Sequence, residues 1–373
     1  MAKTALLLVL MVLDMHLASL IAGETAPGPT MILADQPFFI FGAGPRRKLL
    51  YRGGELLDAR TGEVLKRWNV GSAVIRAADL TVTITVTGSG DQVVISEDEQ
   101  GVWLQEGATR ASLAAAPVKL PTFADQQRDP AKAALLRILH HEILINIIDG
   151  KPVPNFMVYQ KPWYRDGAMM AMVLARTGNL DLIKDWILGL REPFDRNNKG
   201  QREPDNLGQV LYLVSLVADA KHPVVATVLK EAESFRAGDH ITGNSDFAPH
   251  PVYQTKWLKY GLRALGLPDP WKIPHVEDSY STLFWMDYRS EHVGMAGFDS
   301  HGRQNYPYLG WASDHFYNKP PVLPAVGFPL SWEAVASEAD YAGMTVVAPA
   351  YAKARISAPH TWHGAEMFLY LSE

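Results

Sequence analysis

Cysteine is absent from the 373-residue chain. Its absence excludes disulfides, thiolate metal sites, a cysteine nucleophile and a lipid anchor on cysteine, and leaves the compartment open. A basic surplus is also missing. The formal net charge is −5 and no lysine- or arginine-rich stripe is present, so nucleic acid is not an expected partner. The apolar stretch near the N-terminus is broken by Asp14 and His16, too early for the roughly 20 residues of a membrane-spanning helix. There is no Gly-x-Ser-x-Gly elbow, no His-Glu-x-x-His pair and no loop of EF-hand spacing. His140-His141-Glu142 and the His360-x-x-His363 pair do not supply three tetrahedral ligands, so neither a metal nor any other cofactor is expected. Phe41-Gly42-Ala43-Gly44 lacks the strand–helix context of a nucleotide site, and Gly243-Asn244-Ser245-Asp246 reads as a turn.

What the chain does contain supports a large folded core. Hydrophobic residues make up 47% and charged residues 20%, which argues against disorder. Ten tryptophans are present, many beside polar clusters. Such a ring either fills core or offers a flat surface for a sugar. Residues 1–26 read as an export signal: Lys3, then an apolar stretch over 5–13, then a second over 17–23 ending in small residues. A secreted, periplasmic or cell-envelope location follows as an expectation, with no stable membrane span after signal removal. No motif fixes an oligomeric state.

Periodicity changes near residue 125. Over 31–125 the signals are those of a small antiparallel β module. Short strands are expected at 47–51, 55–58 and 63–68, with Gly53-Gly54 and Ala59-Arg60-Thr61-Gly62 as turns. Thr81-Val82-Thr83-Ile84-Thr85-Val86-Thr87 alternates polar and apolar residues, as a half-buried strand does. Strands at 92–96 and 102–104 follow. From 126 to 373 the pattern is helical. The clearest helix is expected over 131–148, with Leu135, Leu136, Ile138, Leu139, Ile143, Ile147 and Ile148 on one broad face. Others are expected over 167–176, 180–190, 207–218, 224–235, 252–265, 279–288 and 362–371, with a shorter one over 331–342. Short polar links make neighbouring helices antiparallel hairpins. The fold class is therefore α+β, a β-rich part followed by a helical part.

Four polar or aromatic clusters each stand just before one of these apolar runs. If the runs are parallel, the clusters share one rim. Trp163-Tyr164-Arg165-Asp166 is the first. Asp166 there is either a helix N-cap or a hydroxyl acceptor, and a helix start favours its ionised form. In the second, Arg202-Glu203-Pro204-Asp205-Asn206, Pro204 and Asp205 suit a helix N-terminus. Glu203 and Asp205 also form a carboxylate pair that could raise the pKa of one member, as a general acid requires. The third, Glu277-Asp278-Ser279-Tyr280, offers Asp278 or Ser279 as a cap and leaves Glu277 as the freer carboxylate. The last is His360-Thr361-Trp362-His363, after which His363, Glu366 and Tyr370 lie near one helical face.

Trp163-Tyr164-Arg165-Asp166-Gly167-Ala168 closely resembles the Trp-x-Arg-Asp-Gly-Ala element of the six-hairpin glycosidases, the glucoamylase-like (α/α)6 toroids. Pro359-His360-Thr361-Trp362 with Ala365-Glu366 is similar to the element that ends their toroid. The resemblance covers residues 130–373 at most. It implies a toroid-like helical domain over 126–373. It also implies that Arg165 and Asp166 bind sugar hydroxyls and that His360 and Glu366 face the pocket.

The expected function is glycoside hydrolysis on an oligo- or polysaccharide by two carboxylates. Glu203, Asp205, Glu277 and Glu366 are the catalytic candidates. Trp163, Tyr164, Arg165, Asp166, Asp278, Tyr280, His360, Trp362 and His363 are the substrate-binding candidates. By analogy the outcome is inversion, which separates the carboxyls by about 6.5–9.5 Å. Two alternatives remain: a polysaccharide lyase or sugar epimerase using His360, His363 and Tyr280, and a non-catalytic envelope protein that binds a glycan or a protein.

Overall fold

Two antiparallel meanders precede the helices. The computed structural model describes residues 37–123, 129–159, 161–246, 248–276, 278, 319, 323–331 and 359–372. The export-signal segment, the helix expected over 279–288, all but Ser331 of the one expected over 331–342, and Glu277 and Tyr280 lie outside these residues. The fold is mixed α+β.

The first sheet runs β1 (Phe38–Phe41), β2 (Leu49–Arg52), β3 (Glu55–Asp58) and β4 (Val64–Arg67), each paired with the next. The second runs β5 (Val70–Arg76), β6 (Thr81–Val86), β7 (Gln92–Glu97), β8 (Gly101–Glu106) and β9 (Thr109–Ala115). The alternation in β6 does what its period predicts. Val82 and Ile84 are fully buried opposite Ile95 and Val93, while the intervening threonines face outward. Three strands escape a reading by alternation. β1 is apolar throughout: Phe39 and Phe41 enter the main core, and Phe38 and Ile40 a smaller one. β5 and β9 are mostly exposed edge strands with no buried row to mark them.

Asp129 caps α1 (Pro130–Leu144), accepting from the Lys132 amide at 3.1 Å. The helix ends before the expected 148. Ile147–Ile148 instead pairs antiparallel with Lys151–Pro152, and Asp149-Gly150 makes the turn at φ 51° and 71°. The stretch 180–190 is likewise not one helix. A 3-10 turn over Leu180–Leu182 gives way to the short α3 (Lys184–Leu188). The others are α2 (Tyr164–Thr177), α4 (Asp205–Ser215), α5 (Pro223–Ser234), α6 (Pro251–Ala264) and α7 (Thr361–Leu371). Among the described residues, no helix is long and apolar enough to cross a membrane.

Helices α7, α2, α4 and α6 run side by side in the same direction. Thr361 bonds Asp166 at one end of the α7–α2 pair and Ser372 bonds Arg176 at the other. Arg165 reaches Asp205, and Gln209 reaches Tyr253, at that same first end. The α4–α6 crossing is very close because it is glycine on glycine. A Cβ on Gly208 would lie 2.1 Å from the Trp257 carbonyl carbon, and one on Gly261 would lie 2.5 Å from the Gly208 oxygen. One hydrophobic core extends from Phe39, Val82 and Ile95 through Leu139 and Leu174 to Leu211, Trp257 and Phe368.

A buried ion network joins the sheets to α1. Glu97 follows Ile95 on the inner face of β7 and is 5% exposed. Its carboxylate accepts from the Gly42 and Ala43 amides at 3.0 and 2.7 Å and from Arg46 at 2.8 Å, and it meets His141 Nε2 at 2.9 Å. Burial alone would raise Glu97, but His141, Arg46 and the Gly42 amide outweigh it and hold the carboxyl at about 2. The Gly-x-Gly loop is thus an anion nest filled by the protein's own carboxylate.

Candidate functional site

Arg165 lies in the first turn of α2 with its side chain 3% exposed. Three carboxylates surround its guanidinium. Nε donates to Asp205 Oδ2 at 3.0 Å, one terminal nitrogen donates to Glu203 Oε1 at 3.4 Å, and the other makes a short contact with Asp246 Oδ2. The Trp362 ring lies 5.3 Å from the guanidinium carbon, within cation–π range. The cluster therefore draws on the loop before α4, the hairpin before α6 and the first turns of α2 and α7.

The carboxylates differ in their surroundings. Asp205, the first residue of α4, is fully buried. Its Oδ1 accepts from Ser245 Oγ at 2.5 Å, and its Oδ2 accepts from Gln209 at 2.9 Å as well as from Arg165. Burial acts to raise it, but the Arg165 charge and these hydrogen bonds together hold it below the ordinary aspartate value. Glu203 is 2% exposed and accepts from the Asp246 amide at 2.7 Å and from Asn198 at 3.4 Å. Burial pushes its carboxyl up to about 7 against the pull of Arg165, and the charges of Asp205 and Asp246 add to the rise. Asp246 has 36% of its side chain exposed and sits at φ 47°, a region aspartate tolerates better than most residues. At neutral pH the cluster thus holds an ionised, immobilised Asp205 beside a Glu203 poised to carry a proton.

The other candidates divide between this rim and its scaffold. Asp166 is not an N-cap. Trp163 occupies that position without a capping bond, and the Tyr164 amide is taken by Asp195 Oδ2 at 2.7 Å. Asp166 instead accepts from Thr361 Oγ1 at 3.1 Å and lies 3.7 Å from His360 Nδ1. The His360 and His363 rings stack with centroids 4.5 Å apart, and Tyr159 sets its edge against both Trp163 and His360. Burial, with Arg165 nearby, pushes His360 down to about 3, so its ring is neutral at physiological pH. Glu366 is 3% exposed on α7, and its charge adds to the high pKa that burial gives Tyr253. Tyr164 turns elsewhere: its ring meets Trp186 and its hydroxyl donates to the Glu192 carbonyl at 3.1 Å. Asp278 accepts from the Tyr253 amide at 3.1 Å and meets His250 at 3.0 Å, so it caps the start of α6.

Asp246, Ser245, Asn198 and Gln209 belong to the cluster without having been singled out by the sequence. Asp246 and Ser245 lie in the Gly243–Asp246 turn. The hairpin pairing of Asn244–Ser245 with Ala248–Pro249 brings that turn against Glu203 and Asp205. The acidic residue inside the turn was the one available signal. Two surface cavities, of about 650 and 570 Å³, are lined by other residues: Leu180, Asp181, Lys184 and residues 215–219 at the far end of α4, and residues 45–48, Asp58 and residues 147–149 near β2.

No protein-family model, no curated protein and no solved structure matches this chain.

Proposed function

We propose that the chain is a glycoside hydrolase in which Glu203 is the general acid. The observation that carries the reading is the pairing of a protonatable, buried Glu203 with an ionised Asp205 on one arginine, at the shared N-terminal end of four helices. A general acid works best when its pKa lies near the operating pH. Asp205 has both oxygens committed and serves to fix Arg165 rather than to move a proton. Glu203 and Asp246 share one guanidinium, too close together for the water-sized gap of an inverting pair. The second carboxylate of an inverting mechanism therefore comes from Glu366 or Glu277. Trp163, Trp362, His360 and His363 supply stacking and hydroxyl contacts, with Asp166 as an acceptor. Four parallel helices with polar starts on one rim fit the inner ring of an (α/α) toroid of the six-hairpin kind, and the proposal extends to that fold and to an exported protein.

The lyase reading is the weaker one. Abstraction next to a uronate needs positive charge to neutralise the substrate carboxylate, and Arg165 already carries three carboxylates. A screen of the purified protein on oligosaccharides, read by mass and by ultraviolet absorbance, separates the readings. One water gained per cleavage supports hydrolysis. An unsaturated product overturns it in favour of a lyase. Saturable binding without turnover, unchanged in Glu203→Gln, overturns it in favour of a binding protein.

A further inference from the structure

Glu142 lies outside the Arg165 cluster, fully buried near the end of α1. Its Oε1 accepts from the Leu330 amide at 2.6 Å, and its Oε2 accepts from the Ser331 amide at 2.8 Å and from Ser331 Oγ at 2.5 Å. Ser331 in turn holds the site, because its carbonyl accepts from the His360 amide at 3.3 Å. One turn further along, Asn146 donates to the Pro359 carbonyl at 3.0 Å. A side chain in the last turn of α1 and another just past its end thus suspend the backbone that carries His360 and Thr361, the residues that meet Asp166.

We propose that Glu142 is a positioning residue for the His360–Asp166 part of the rim, and that ionisation of its carboxyl loosens the Leu330–Ser331 turn and with it the start of α7. The inference rests on the proposed function only for calling this rim a substrate site.

Burial without a counter-charge sets the direction. On α1 itself, His141 is turned to Glu97, and His140 meets Thr177 and is pushed down to about 3 by burial. The sheet side presents Glu97 and Arg46, which bind each other. α7 approaches this turn through Gly364, where an added Cβ would lie 3.1 Å from Ser331 Oγ; the titratable residues at its start are His360, stacked on His363, and Glu366, whose charge acts on Tyr253. Among the described residues no cation pairs with Glu142. Burial raises its carboxyl to about 7 despite the three donors. The neutral acid also fits the turn, since the Ser331 hydroxyl can accept the acid proton while Leu330 still donates. Opening the turn to water returns the group toward its ordinary value of 4.5, so raising the pH favours opening.

The test is backbone amide exchange of the whole protein without substrate, read by mass in peptides covering 323–331 and 359–366 and corrected for intrinsic rates. Linkage gives about tenfold more opening at pH 8 than at pH 6 in the wild type. Glu142→Gln, which cannot ionise, should show no such change. Glu142→Ala should exchange fast at both pH values. Equal pH dependence in wild type and Glu142→Gln would overturn the proposal, as would wild-type protection in Glu142→Ala. If Glu142→Ala does not fold, the Glu142→Gln comparison decides. Because no turnover is measured, this result stands apart from the fate of the hydrolase reading.

Discussion

Replacing Arg165 with methionine removes the charge around which the cluster is built while keeping much of the side-chain volume. Asp205 would then be a fully buried carboxylate left with the neutral donors Ser245 and Gln209. Breaking a buried ion pair from one side costs about 3–5 kcal/mol, chiefly from the stranded charge. The sign of the pH dependence follows from Asp205. In the native protein its pKa is depressed, so it adds stability above about pH 4, the unfolded aspartate value, and loses it on acidification. Without Arg165, burial raises that pKa above the unfolded value, and stability falls as pH rises. The loss should therefore be largest at pH 8 and shrink toward pH 5. Urea unfolding followed by tryptophan fluorescence at the two pH values measures it. The double variant Arg165→Met/Asp205→Asn should recover more than half of the loss, because a neutral amide needs no counter-charge. A loss below about 1 kcal/mol at both pH values would refute the reasoning, as would strictly additive single effects.

Three further outcomes follow. Glu203→Gln should lower turnover by about 10²- to 10⁴-fold, the range for loss of a general acid, and should abolish the fall in rate above about pH 7 that its raised carboxyl sets; steady-state pH profiles check both. Gly208→Ala should destabilise by about 3 kcal/mol or more, since overpacking against the Trp257 backbone cannot be relieved by a rotamer change; urea midpoints report it. Burial lowers the Lys48 ammonium to about 7, so wild-type stability should rise between pH 7 and pH 10, where the unfolded chain holds the extra proton; in Lys48→Met thermal unfolding should lose that slope.

Much of this organisation is legible in the sequence wherever one face is buried and the other wet. The threonine alternation marks β6, and the apolar stripe 135–143 marks α1. Legibility fails where local chemistry competes with periodicity. Ile147 and Ile148 continue the stripe of α1, but Asp149-Gly150 turns them into a hairpin. Edge strands β5 and β9 bury almost nothing and leave no pattern. Three of the helix starts that meet at this end, those of α2, α4 and α7, carry polar clusters visible in the sequence, whereas α6 starts at Pro251, outside them, and the helix expected after Glu277 lies outside the described residues. Asp246 was not legible, because its role depends on a hairpin closing over Glu203, 43 positions earlier in the chain.

The most direct test of the central claim is a mass-resolved product screen of wild type and Glu203→Gln on a broad panel of oligosaccharides. The account predicts wild-type cleavage with one water gained per bond, and loss of that product in Glu203→Gln while the variant still unfolds cooperatively. Undiminished hydrolysis in Glu203→Gln, or cleavage without added water, would contradict it.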